Sequence, residues 1–442
     1  VVAALVCLNA GPLSYTGSVY YSGTADRLSV TRKAESELSL TGSADKWLLG
    51  FRGDNYSPFP SREKDLRVRE GFLEYQGRGV EWRIGTFRDI LGTGLVFSSY
   101  RLRELDIENT VGGVRAAFSS GERWNALLFS GRGLEEKKEN RVTGGNLKYD
   151  FAEGLSVTVE GLLSEVPAGT LQNRSRIGGL YGTYSAGRMD LTLEAASLKQ
   201  TGVVERSGRA YYGYLSYIVL PRRGISVFGG YKDYKKFSHA YNLGPTLRSQ
   251  FESTNYDDEV GFQAGIAYSP NEKLSIRVNQ NKSDTRGFPL PFRENEITLH
   301  LTPGNEWEEI YGYWRAKSDF TELEKDVEIN IVRRMNDGLK VVANYYSEDH
   351  IAPQQEYEVR QGTLGVHIGA RPVYVGGTVQ RTTRASEPQT DWGYVEVHYP
   401  IHRALRVQVQ WGSDRGGRQC ASGICVIRPP MEGNRFEIIG LF

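Results

Sequence analysis

Apolar and polar residues change places one by one along most of this chain. In the segment 155–163, Leu155, Val157, Val159 and Leu163 fall on one side, and Ser156, Thr158 and Glu160 on the other. Segment 189–195 sets Met189, Leu191, Leu193 and Ala195 against Asp190, Thr192 and Glu194. Segments 274–278, 327–331 and 405–411 repeat the pattern. Successive side chains of a strand point to opposite faces, so a period of two predicts β structure. No window of comparable length fits the helical period of 3.6 better, and the chain reads as all-β.

Polar turn signals punctuate the alternation at Ala152-Glu153-Gly154, Ala186-Gly187, Arg222-Arg223-Gly224, Pro270-Asn271-Glu272 and Asn336-Asp337-Gly338, among others. They recur roughly every 31–35 residues, except across the longer segment 234–257, and such runs bounded by Gly, Pro and Asn are strand and hairpin signals. Each interval holds two strands of about ten to twelve residues, a tight turn and a longer polar connection. A sandwich or a propeller would use strands of about five or six residues, or a 40–50-residue family repeat. Ten to twelve residues instead match the length that crosses a bilayer at a steep tilt. Alternating short and long connections match the two ends of a membrane barrel. In that architecture the apolar face meets lipid and the polar face lines the lumen.

Aromatic residues collect near strand ends. Tyr149, Phe151, Tyr268 and Tyr399 lie by short turns; Trp392, Trp411, Tyr345 and Tyr346 lie towards long connections. Amphipathic rings favour the headgroup level, so these positions read as two girdles. At the C-terminus Phe436, Ile438, Gly440 and Phe442 share one face. A last strand ending in Phe resembles the signal read by the outer-membrane barrel assembly machinery. With the alternation over the whole chain, the sequence resembles a Gram-negative outer-membrane β-barrel. The resemblance implies outer-membrane lipid and the assembly machinery as partners.

About eight strands precede Gly154 and about sixteen follow it, which predicts a single barrel of about 24 strands, with 22–26 allowed. A strand spacing of about 4.8 Å and a tilt near 40° give a diameter of roughly 45–50 Å. Two functional readings follow. One is a sleeve around a partner, resembling the barrel component of porin–cytochrome conduits, which encloses a multihaem cytochrome. The other is a diffusion porin or substrate channel constricted by folded loops. Residues 1–10 read as a signal remnant or an N-terminal tail, and 11–442 as the barrel.

Composition sharpens this picture. The 442 residues carry 54 Lys+Arg against 53 Asp+Glu, and 39% are apolar. This balance argues against a nucleic-acid binder, which would show a basic excess. The apolar fraction is what one lipid-facing residue in two, plus polar connections, gives. Parity places Glu160, Asp190, Thr192, Glu194, Arg277, Asn279, Glu328, Asn330, Arg406, Gln408 and Gln410 on the lumen side. Both signs of charge occur there, so no strong ion preference is expected.

The segment 85–115 stands apart. Gly92 and Gly94 permit tight turns, and Arg101, Arg103, Glu104, Asp106 and Glu108 form a dense charged run. The segment, with this run in it, is a candidate for folding inward to line or narrow the lumen; a solvated surface loop is the alternative. Cys420 and Cys425 lie in the last long connection, where a disulfide is expected if that connection is extracellular. The six His are scattered, without the spacing of a metal motif, and no Cys-x-x-Cys-His, G-x-S-x-G or phosphate loop occurs. No directly bound cofactor, no metal site and no enzymatic activity are expected.

Overall fold

The computed structural model describes residues 14–26, 32–55, 67–102, 107–134, 140–168, 171–203, 205–239, 241, 258–286, 291–304, 306–318, 323–352, 355–369, 373–384, 387–402, 405–414, 417–421, 424–428 and 431–441. Twenty-four strands form one antiparallel sheet. The first eight are β1 (Ser14–Asp26), β2 (Arg32–Ala44), β3 (Trp47–Asn55), β4 (Arg67–Gly77), β5 (Val80–Phe87), β6 (Val111–Ser120), β7 (Trp124–Gly133) and β8 (Arg141–Ala152). The next eight are β9 (Leu155–Ala168), β10 (Leu171–Ala186), β11 (Met189–Thr201), β12 (Arg206–Leu220), β13 (Ile225–Lys235), β14 (Glu259–Asn271), β15 (Leu274–Thr285) and β16 (Pro291–Leu301). The last are β17 (Trp307–Ser318), β18 (Leu323–Asn336), β19 (Leu339–Ala352), β20 (Gln355–Ile368), β21 (Val373–Arg384), β22 (Glu387–His402), β23 (Leu405–Asp414) and β24 (Met431–Leu441).

Each strand pairs with its sequence neighbour. β24 returns to β1, with Ser18 opposite Leu441, so the sheet closes on itself and has no edge. Closure satisfies every ladder within the chain, as a spanning structure in lipid requires. β1 starts and β24 finishes at the end that carries the tight turns, as an even strand count dictates.

The two faces of the sheet invert the rule of water-soluble proteins. Leu128, Val159, Leu163, Leu180, Leu193, Leu364 and Val379 are exposed, whereas Ser156, Thr158, Glu160, Asn279, Asp326 and Gln410 are buried. An apolar outer surface around a polar interior is the arrangement that lipid outside and a polar lumen inside would stabilise. At the tight-turn end two aromatic clusters stand on the outer face. Trp47 packs against Tyr75 and Trp82 at centroid separations of 5.1 and 5.3 Å, and Trp124 against Tyr149 at 4.4 Å.

Two expectations need correction. Trp392 and Tyr346 do not belong to an outer girdle. Register sets Trp392 opposite Gln380 and Tyr346 opposite Glu328, both on the buried, inward parity. Proximity to a strand end suggested the girdle, but a one-residue step decides the face. The far connections are also not uniformly long. Only two residues separate β9 from β10, β19 from β20 and β21 from β22. There the strands run on as hairpins, up to 16 residues in β10 and β22, because backbone pairing continues beyond the apolar band.

Candidate functional site

The lumen contains a folded ledge. Between β5 and β6 the chain turns inward, and Ile90–Leu91 pairs with Phe97–Ser98 as a small hairpin. Gly92 and Gly94 adopt φ of 54° and 96°, which L side chains rarely tolerate. The Gly94 N–H donates to the Leu91 carbonyl at 2.8 Å and closes the turn. Leu91, Leu95, Val96 and Phe97 are fully buried. They pack in one cluster with Phe87, Val111, Phe129, Val142, Leu162, Ile177, Leu198, Ala210 and Tyr234, contributed by β5–β13. Phe97 lies 4.4 Å from Phe129, centroid to centroid. Burying each of the four large side chains stabilises the ledge by about 1.5–3 kcal/mol.

A second inward segment caps the first. Phe237 and Tyr241, beyond β13, are fully buried in the same cluster. The Ser98 N–H donates to the Tyr241 carbonyl at 2.8 Å, and Phe97 and Tyr241 lie 5.5 Å apart. His239 Nε2 donates to the Leu95 carbonyl at 3.0 Å, and its Nδ1 faces the Tyr241 N–H at 3.4 Å. Both ring nitrogens are committed in the neutral form. Desolvation, with Arg206 nearby, pushes the His239 pKa down to about 4 against the partial offset of the Leu95 bond.

Beneath the turn sit two carboxylates from the wall. Thr93 donates to Glu194 Oε2 through its N–H at 2.7 Å and through its hydroxyl. A Cβ at Gly92 would approach Glu160 Oε1 and the Glu194 carboxylate to 2.9 Å, so glycine, which also suits the positive φ, lets the turn settle over both without displacing them. On the far side the ledge is tied to its root by Arg115 Nε, which donates to Asp89 at 2.8 Å.

The opposite wall is polar. At its edge, where β13 meets β14, Lys232 pairs with Glu259 at 2.7 Å, both buried. Fully buried Arg315 meets Glu324, Asp326 and, at 3.8 Å, Glu294. Near β2–β5, Arg52 pairs with Glu70 at 2.7 Å and Arg69 with Asp54 at 3.0 Å.

The residues assigned to the lumen by parity lie as follows. Glu160 and Glu194 are buried under the ledge, while Thr192 and exposed Asp190 follow on the same parity of β11 towards the tight turns. Arg277 stacks over inward Phe228 at 4.2 Å, with Asn279 buried beyond it. Glu328 is buried and Asn330 half-buried on β18; on β23 Gln408 and Gln410 are buried and Arg406 is exposed. Of the charged run, Arg101 and Glu108 stand opposite each other in a short ribbon, Arg101–Leu102 with Ile107–Glu108. Arg103, Glu104 and Asp106 lie outside the described residues, as do residues 1–10 and Phe442. What is buried in the lumen is the apolar, glycine-bearing stretch just before that run. Phe436 is exposed on the outer face, with Ile438 on the same parity. Register sets Cys420 opposite Cys425 in the ribbon Gly417–Ala421 with Ile424–Arg428.

Sequence reasoning singled out segment 85–115 as inward-folding but placed the weight on its charged run, and it missed the apolar stretch 91–97 that is buried. A signal was present: the pairs Leu162-Leu163, Leu128-Phe129 and Ala195-Ala196 break the alternation where both faces are covered. All lie on the wall that carries the ledge.

Residues 30–174, a third of the chain, match the model of a family of unknown function, DUF6029. That stretch includes the ledge and Glu160, and stops before Glu194. Among curated proteins no sequence matches this chain. In fold it is similar to the open form of the ferric-catecholate import receptor Fiu from E. coli K12, with a TM-score of 0.51 and 10% identity. That match covers 97% of this chain and 82% of the receptor. The siderophore receptor PirA from Pseudomonas aeruginosa gives 0.51 at 10% identity, covering 97% of this chain and 80% of its own. The P pilus usher (PapC) translocation pore gives 0.50 at 8% identity, with coverages of 97% and 99%. Identities this low concern the fold alone. These neighbours are receptors and a pore, and the architecture is that of an outer-membrane β-barrel.

Proposed function

We propose that this chain resides in a bacterial outer membrane and forms a wide passage across it, made asymmetric by the ledge. The observation that carries this reading is the closed 24-strand sheet with an apolar outside and a polar inside. At roughly 45–50 Å across, from strand spacing and tilt, the passage is wide enough for a folded polypeptide. The finer reading is a sleeve around a protein partner, with a multihaem cytochrome as the specific case. Its support is the size of the barrel and an inner wall of closely matched opposite charges. Such a wall can face a partner's polar surface as well as water. In this reading the barrel binds no cofactor and performs no chemistry; it insulates the partner from lipid.

A second reading, a solute channel with a constricted lumen, is favoured by the ledge itself, which narrows the passage from one side. Purification from outer membranes separates the two. A stoichiometric haem-staining partner supports the sleeve. A barrel isolated from its native membrane with no stoichiometric protein partner supports the solute channel and overturns the sleeve.

A further inference from the structure

The outer surface of β7–β13 carries a row of cations at the end away from the tight turns. Arg132, Arg141, Arg174, Arg176, Lys199, Arg209 and Lys235 are all exposed there. The register sets three pairs of like charge directly opposite each other: Arg132 with Arg141, Arg176 with Lys199, and Arg209 with Lys235. Like charges directly opposite destabilise a sheet unless something neutralises them. Glu165, on the same face, stands between Arg141 and Arg174 in the register and pairs with Arg174 at 2.5 Å. Arg132, Arg141, Arg176 and Lys199 have no ion-pair partner among the described residues.

The contrasting wall at the same height is neutralised locally. There Lys282 meets Asp284 at 4.0 Å, Arg360 meets Asp349 at 2.7 Å, and Arg381 meets Asp391 at 2.9 Å. That wall has opposed pairs of its own, Lys282 with Arg293 and, with both cations neutralised, Arg360 with Arg381, whereas β7–β13 carries three in succession.

Two hollows accompany the row. One, of about 590 Å³, is lined by Arg132, Arg141, Arg174 and Arg176, with the single carboxylate of Glu165, and by Gly113 and Gly131. The other, of about 770 Å³, is apolar, walled by Leu180, Leu193, Tyr211, Leu215 and Tyr231 over Gly182, Gly213 and Gly229. Leu180 and Gly182 stand four and six residues from Arg176 on the same strand face, roughly 13–20 Å towards the tight turns. A headgroup-level anion site thus lies above a chain-sized apolar trough on the same wall.

We propose that this face binds an outer-leaflet lipid bearing phosphate groups, its phosphates between the opposed cations and its acyl chains in the glycine-floored trough. Guanidinium groups recognise phosphate by paired, charge-assisted hydrogen bonds. The proposal rests on the reading of the chain as a membrane barrel.

The test uses the full chain, purified and folded in detergent, with diphosphoryl lipid A as the probe and native mass spectrometry as the readout. Retained diphosphoryl lipid A is expected on the wild type, with at least about tenfold less in the combined variant Arg132→Gln, Arg141→Gln, Arg176→Gln, Lys199→Gln. A control variant of the opposite wall, Lys282→Gln, Arg360→Gln, Arg381→Gln, should bind like the wild type. Inorganic phosphate at equal concentration should not compete. Equal retention by the combined variant, equal retention of lipid A stripped of phosphate, or full competition by inorganic phosphate would each overturn the assignment. Heat-modifiable gel mobility confirms folding of each variant; if the combined variant misfolds, the singles Arg176→Gln and Lys199→Gln carry the same comparison. Bilayer conductance of the wild type, measured separately, reports on the membrane passage without reference to lipid binding.

Discussion

The wall from β5 to β13 and the wall from β14 to β24 use the same alternating strand but enclose different interiors. Behind the first, apolar side chains from both strand and connection bury one another around Phe97. Behind the second, ion pairs and amides around Arg315 and Gln410 fill the inner face. The outside differs as well, with three successive pairs of opposed cations on the first wall and mostly locally matched charges on the second. A barrel strand has two faces to vary independently. On the wall covered on both sides, adjacent apolar pairs such as Leu128-Phe129 and Leu162-Leu163 face lipid and ledge at once.

Replacing a ledge residue should break this comparison most strongly. Phe97→Asp places a charge in a site of zero exposure, and should cost the ledge about 4 kcal/mol or more. Limited proteolysis should then cut within residues 90–99 while the barrel keeps its folded gel mobility. Cleavage no faster than in the wild type would mean that the ledge is not held by its apolar cluster. On the other wall, Arg315→Met leaves Glu294, Glu324 and Asp326 without their shared cation. It should lower barrel stability by about 3 kcal/mol, seen as a lower urea midpoint, with no change in ledge proteolysis. If the two variants exchanged these signatures, the division into two walls would be wrong.

Acid should loosen the ledge. His239 is neutral in the folded ledge, with a pKa lowered to about 4, against about 6.5 when released. The released form binds the proton first, so the ledge has its full stability above pH 6.5 and loses it as the pH falls towards 4. At pH 5 the loss should be about 2 kcal/mol. Protease sensitivity of the ledge should rise over that window, and His239→Gln should flatten the rise. A smaller effect is expected from Thr93→Val, which removes the hydroxyl bond to Glu194 and should cost about 1–2 kcal/mol. Thr93→Ser should recover most of it in the same proteolysis assay.

The architecture was legible in the sequence because a period of two, repeated through the chain, determines both strand and face. Eight strands before Gly154 and sixteen after it are what the structure contains. Parity likewise places Glu160, Glu194, Asn279 and Gln410 on the enclosed side. The ledge was not legible in that way. Its position depends on Gly92 resting over Glu160 and Glu194, and Thr93 and Glu194 are 101 residues apart. Periodicity carries no information about contacts at that separation. The charged run at 101–108 drew attention by composition, whereas burial is driven by Leu91, Leu95, Val96 and Phe97 just before it. Cross-strand charge repulsion on the outside was equally hidden, since Arg176 and Lys199 become neighbours only once register is known.

Single-channel conductance in planar bilayers tests the central claim most directly, comparing the intact chain with a variant whose residues 90–98 are replaced by a short Gly-Ser linker. Stable channels are expected for both, with a conductance at least about twofold larger without the ledge, from the cross-section released in a barrel of this strand number. Equal conductance, or no channel from either folded protein, would contradict a passage narrowed by this ledge.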